Sequence, residues 1–178
     1  MSEPCVNKLM TLFDELFKPR FNTVLVRGDD EPIYLPADEQ HPHHRVVFAH
    51  GFFASALHEI AHWCVAGAAR RELVDFGYWY KPDGRTADEQ AEFEKVEVKP
   101  QALEWIFSQS AGLKFNFSAD NLSSEIGASP EFKQRVWQQV QDYLHNGLPE
   151  RPQMLVQTLS AGFNQPLPGP EHFSLEGK

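Results

Sequence analysis

A chain of 178 residues with fourteen phenylalanines can bury an aromatic-rich core within one domain, without disulfides or structural zinc. Its formal charge of −9 argues against a phosphate backbone as the main partner, so no direct nucleic-acid binding is expected. Two cysteines, Cys5 and Cys64, are too few for a disulfide framework. With no signal-like leader and no bilayer-length apolar run, reduced thiols, a cytoplasmic location and no membrane span are expected.

In chain order, Val6, Leu9, Met10, Phe13, Leu16 and Phe17 form a helical stripe that Lys18-Pro19 should end. NTVLVRG (22–28) reads as a strand, GDDEP as a turn, IYLPA as a short second strand and 38–44 as a polar loop. RVVFA (45–49) is a third β-rich run, broken by His50-Gly51. A helix is predicted over about 52–66, stopping near a left-handed Gly67. Its apolar residues lie on nearly all sides, the pattern of a buried helix. RELVDFGYWY (71–80) reads as a strand and KPDGR as a turn.

Thr86 should cap a polar helix through ADEQAEFEKVEV, which Lys99-Pro100 interrupts. Pro100 then opens a separate helix, PQALEWIFSQSA, stopped by Gly112. Ser129-Pro130-Glu131 starts another, ending at Gly147, and LPERP leads into a short helix near 153–161. Residues 1–5 and 165–178 are expected to be loose. The sum is an α+β fold: one compact domain over 1–178, with a buried metal-binding helix, several further helices and a small sheet.

The buried helix carries LHEIAHW (57–63). Residues four apart share a helix face, so His58 and His62 can aim both imidazoles at one ion. Glu59 is rotated by about 100° and is placed to meet a molecule bound at that ion. Burial of these groups is costly without partners, and a metal supplies one. Cys64 points away from His62 and reads as a packed core thiol.

Two imidazoles need a third ligand, for which Glu97, Glu94, Glu104, Asp75 and His50 are candidates. The metalloprotease extension to a third histidine is absent, since Val65 and Ala68 stand at its positions. Glu97, between Val96 and Val98, is preferred as a charge held inward. Glu94 and Glu104 fit solvated helix faces equally well. His50 reads as a histidine at a helix start, and His41, His43 and His44 as a solvated loop. Asp29, Asp30 and Glu31, or Asp75 with Tyr78, Trp79 and Tyr80, offer the acid and aromatic groups that suit a cationic side chain.

Such a site allows two chemistries. Zinc with Glu59 as general base gives amide hydrolysis; ferrous iron on two histidines and a carboxylate gives an oxygenase. Spacing by itself favours the hydrolase, and a non-catalytic metal-stabilised adaptor is a third possibility. The longer stretches GDDEPIYLPA (28–37), RVVFAHGFFASALHEIAHWCVAGAARRELVDFGYWYKPDGR (45–85), VEVKPQALEW (96–105) and NGLPERP (146–152) closely resemble the elongation factor P hydroxylase family of bacterial cytosolic proteins.

That resemblance implies an Fe(2+)-dependent, oxygen-using hydroxylase with His58, His62 and Glu97 as metal ligands. It implies β-lysylated elongation factor P as protein substrate, hydroxylated on the modified lysine. The resemblance assigns Glu59 no role; from its place on the helix it reads as a proton-handling or outer-sphere group of the active site. Asp75, Tyr78 and Tyr80 become substrate-binding candidates for the cationic lysyl arm, and Arg70 and Arg71 a place where an acidic partner could dock.

Overall fold

Three short strands lie side by side in the computed structural model, which describes residues 4–75, 86–117 and 128–178. They are β1 (Thr23–Arg27), β2 (Ile33–Leu35) and β3 (His44–Phe48), in the order β1-β3-β2. β1 runs parallel to β3, with Leu25 opposite Val46, and β2 runs antiparallel, with Tyr34 opposite Val46. Leu25, Val46 and Phe48 are buried, the alternation of a sheet with one face on a core. Three of the four predicted strands, over 22–28, 33–37 and 45–49, are present. The expected strand over 71–80 is replaced, where described, by a 3₁₀ turn at Arg70–Glu72 and a single bridge from Asp75 to Tyr34. Residues 76–85, with Tyr78, Trp79, Tyr80 and the KPDGR turn, lie outside the described residues.

Among the described residues there are five α-helices, α1 (Val6–Phe21), α2 (Phe53–Val65), α3 (Ala87–Ala111), α4 (Pro130–Asn146) and α5 (Glu150–Gly162), of which α1 packs on β1 and α2 on β3. α3 is the hub, packing on α2, α4 and α5. Phe13, Phe17, Phe48, Phe53, Phe107 and Phe132 are all fully buried, so the aromatic-rich core expected from composition forms. No helix among the described residues is long and apolar enough to cross a membrane.

Two prolines fail to end helices. α1 continues through Pro19 to a left-handed Asn22 (φ 49°). The missing N–H would have served the carbonyl of Glu15, an exposed residue that water can reach. The extra turn carries Phe21 onto Trp63, with ring centres 6.0 Å apart. Likewise Pro100 does not begin a new helix but lies inside α3. An interior proline costs about 3 kcal/mol. Here it removes the bond to Val96, itself 47 % exposed, while nearly every residue from Pro100 to Ser108 is buried. Burial of that second half outweighs the lost bond.

Caps follow the sequence more closely. Thr86 forms a capping box with Glu89, Ser129 accepts from the Phe132 N–H, and α3 stops at left-handed Gly112 (φ 76°). α2, however, ends on an extended Ala66 (φ −63°, ψ 130°), and Gly67 is not left-handed. The expected loose stretch 165–178 is packed down. Phe173 is buried against Trp105, ring centres 5.5 Å apart, and its carbonyl accepts the Trp137 indole N–H at 3.0 Å.

Cys64 is buried in α2, and burial pushes its thiol up to about 12, whereas Cys5 is exposed. Only the thiolate reacts readily. Near neutral pH a thiol reagent should therefore modify one cysteine per chain quickly and the second only in denaturant. Two fast thiols would contradict the packing of α2.

Candidate metal centre

α2 and α3 lie against each other and bring together side chains that are 35 to 46 residues apart in sequence. From α2, His58 and His62 stand one turn apart, their rings 4.7 Å between centres. Their Nε2 atoms are 3.1 Å apart. From α3, Glu97 Oε1 approaches His62 Nε2 to 3.0 Å and His58 Nε2 to 3.6 Å. These three atoms form the cluster of metal-ligand type found among the described residues. Ligand atoms about 2.1 Å from one ion lie about 3.0 Å apart at right angles and about 3.4 Å apart at tetrahedral angles. The observed spacings of 3.0, 3.1 and 3.6 Å lie close to these values. Two imidazole nitrogens and one carboxylate on one side of an ion are also the donor set that suits ferrous iron.

The surroundings hold these donors in place. Glu104 Oε1 lies 2.6 Å from His58 Nδ1, which gives that nitrogen the proton and turns Nε2 toward Glu97. Gln101 donates to the second oxygen of Glu97 at 3.3 Å. Glu97 and Gln101 are completely buried and Glu104 is 5 % exposed. The His58 side chain is 21 % exposed, so the centre has one edge open to solvent.

Charge is balanced tightly here. Burial disfavours a charge on His58, but Glu97 and Glu104 outweigh it and hold its pKa well above the ordinary 6.5. Burial likewise works against ionised Glu97, yet His62 and His58 hold its carboxyl well below the usual range. Burial raises Glu104 and Glu59, the neighbouring imidazoles opposing it in both. A cation would bind only the neutral imidazole, so His58 would have to release a proton to the solvent, whereas Glu97 is already ionised. Metal affinity of the metal-free protein should therefore climb as pH rises through and above the normal imidazole range. Calorimetry in buffers of different ionisation enthalpy should find proton release on binding; a flat affinity across that window would contradict the assignment.

Beside the centre lies a small pocket whose walls include Glu59, His62, Trp63, Tyr34, Arg70 and Asp75. Asp75 is pinned by its backbone, which exchanges hydrogen bonds with Tyr34 at 2.6 and 3.0 Å. Its carboxylate pairs with Arg70, accepting from Nε and, at 3.2 Å, from Nη2. Asp75 and Glu59 both line this cavity.

The other candidates separate. Glu94 is buried rather than solvated and accepts from the Ser129 backbone (3.0 Å) and hydroxyl (2.8 Å), bracing the start of α4. Glu104, also expected on a wet face, is the partner of His58. His50 has a positive φ of 60° and borders a different surface cleft with Asp29 and Asp30. His41, His43 and His44 bond Asp38, Asn22 and the Ala37 N–H respectively. The signal for Glu104 and Gln101 was a stripe at 94, 97, 101 and 104. It becomes visible as one helix face only once Pro100 is allowed inside the helix.

The model of the elongation factor P hydroxylase family matches residues 12–173. The elongation factor P lysine hydroxylase of Haemophilus influenzae is 53 % identical to this chain over 156 residues, 88 % of each protein. The matched span takes in α2, α3 and the whole His58–His62–Glu97 cluster, and on this basis the chain belongs to the elongation factor P hydroxylase family.

Proposed function

We propose that this protein is an iron-dependent hydroxylase that uses molecular oxygen to hydroxylate the β-lysylated lysine of elongation factor P, in the cytoplasm. The observation that carries the reading is the convergence of His58, His62 and Glu97 in a member of this family. Its relative's name supplies the lysine and the protein substrate. A ferrous ion held by these three residues would supply the oxygen-activating redox chemistry that no side chain of the chain offers.

The residues around the ion do the rest. Glu104 orients His58 and Gln101 orients Glu97. The cavity receives the lysyl arm: Asp75 and Glu59 present carboxylates to its ammonium groups, and Tyr34 and Trp63 present aromatic surface to its methylenes. Because Arg70 already holds Asp75, an incoming ammonium must share that carboxylate. Asp75→Asn is expected to raise KM for the modified factor severalfold without loss of bound iron, and an unchanged KM would remove Asp75 from the pocket. Glu59, at the junction of cavity and centre, is placed to pass a proton to or from the substrate region. Glu59→Gln with full turnover and full metal occupancy would dismiss that role.

The deciding experiment is mass spectrometry of β-lysylated elongation factor P after incubation with the iron-loaded protein and an added two-electron reductant, which takes the second oxygen atom to water, with and without oxygen. One added oxygen atom, only when iron and oxygen are both present, is the expected result. Zinc-supported cleavage of a peptide bond with no oxygen added would replace this reading with a hydrolase.

A further inference from the structure

The stretch NGLPERP (146–152) lies outside the His58–His62–Glu97 cluster and does not line the cavity beside it, yet its arginine reaches the helix that carries His58 and His62. Arg151 lies in the first turn of α5, and its guanidinium crosses to the end of α2. Nη1 donates to the Trp63 carbonyl at 2.8 Å; Nη2 donates to the carbonyls of Cys64 and Ala66 at 3.2 and 2.9 Å. The guanidinium also lies 4.5 Å from the centre of the Trp63 ring, whose other contacts include Phe13, Phe17 and Phe21.

This contact matters because of where α2 stops. The last carbonyls of a helix have no donor within it, and Ala66 turns extended instead of closing the end with a left-handed residue. The final internal bond runs from the Ala66 N–H to the carbonyl of His62 at 3.0 Å. His62 is therefore in the turn most exposed to fraying, and the carbonyls just beyond it are the ones Arg151 takes.

We propose that Arg151 is a positioning residue of the metal centre: by gripping the carbonyls of Trp63, Cys64 and Ala66 it fixes the last turn of α2 and keeps His62 convergent with His58 and Glu97. The inference rests on the metal-binding reading given under Proposed function. A planar fork that reaches three carbonyls while stacking on an indole is a task for arginine, and a lysine ammonium cannot reproduce it.

The test titrates metal-free protein with Co(II), following visible absorption, at a temperature where circular dichroism shows every variant folded. Arg151→Met is expected to weaken Co(II) binding by about tenfold or more, the scale of losing an outer support of a ligand, and to change the cobalt spectrum. Arg151→Lys should restore only part of the affinity. Arg20→Gln severs the exposed Arg20–Glu150 pair at the same end of α5; it should leave affinity and spectrum as in the parent, whatever it does to Tm. Parent-like affinity and spectrum in Arg151→Met, with only Tm lowered, would overturn the proposal. So would an equal loss of affinity in Arg20→Gln. If Arg151→Met does not fold, parent-like binding by Arg151→Lys overturns it. A parent protein that takes up no Co(II) would instead defeat the metal-binding reading itself, and this inference with it.

Discussion

Glu97→Gln should lose hydroxylation of elongation factor P by about a hundredfold or more, together with most of its bound iron. Removing outer partners of a ligand already costs about 10–100-fold, and Glu97 is itself the inferred carboxylate ligand. The substitution keeps the shape and most of the packing, so circular dichroism should show a folded protein. Two effects add. The amide is a poor donor to ferrous iron, and the buried centre loses the one carboxylate that approaches both imidazoles. In the metal-free variant His58 should lose part of the support that holds its pKa high, leaving Glu104 as its acidic partner. Metal content and mass spectrometry of the product read the first effect, and histidine NMR titration the second. A Glu97→Gln protein that keeps iron and turnover would show that the centre is not built on this residue.

Substitution of Glu104 should produce the second largest effect, although Glu104 is not an inferred ligand. Its carboxylate fixes the His58 ring through Nδ1 at 2.6 Å from within a buried position. Glu104→Ala leaves a largely buried ring N–H unsatisfied, a cost of about 1–3 kcal/mol, and frees the ring to rotate. Metal affinity should fall by about 10–100-fold. Glu104→Gln keeps an acceptor but not the charge and should fall between Ala and the parent. The signature of an orienting role is this graded series in metal affinity, in proteins that remain folded. Equal affinity across Glu104→Ala, Glu104→Gln and the parent would reduce the contact to packing.

How much of this was legible without coordinates differs residue by residue. The shared face of His58 and His62 follows from helical periodicity alone, because both lie on one element. The preference for Glu97 came from its apolar neighbours and from family resemblance, and α3 does place that side chain against both histidines. The partnership of Glu104 with His58 is hidden in the sequence, because Lys99-Pro100 reads as a helix break that separates positions 97 and 104. A proline's local cost is visible in sequence; the burial that outweighs it is not.

The sequence by itself determined the elements whose causes are local: the capped starts of α3 and α4, the three β-rich runs, and the paired imidazoles on a helix apolar all round. Tertiary structure alone decided which carboxylate meets which imidazole, that residues 165–178 pack against the aromatic core, and that Arg151 closes a helix ending 86 residues before it. Periodicity and capping act within a few residues, so the chain carries their signal directly. Contacts between α2, α3 and α5 depend on how apolar faces bury one another, a property of the packed whole that no short window of sequence contains.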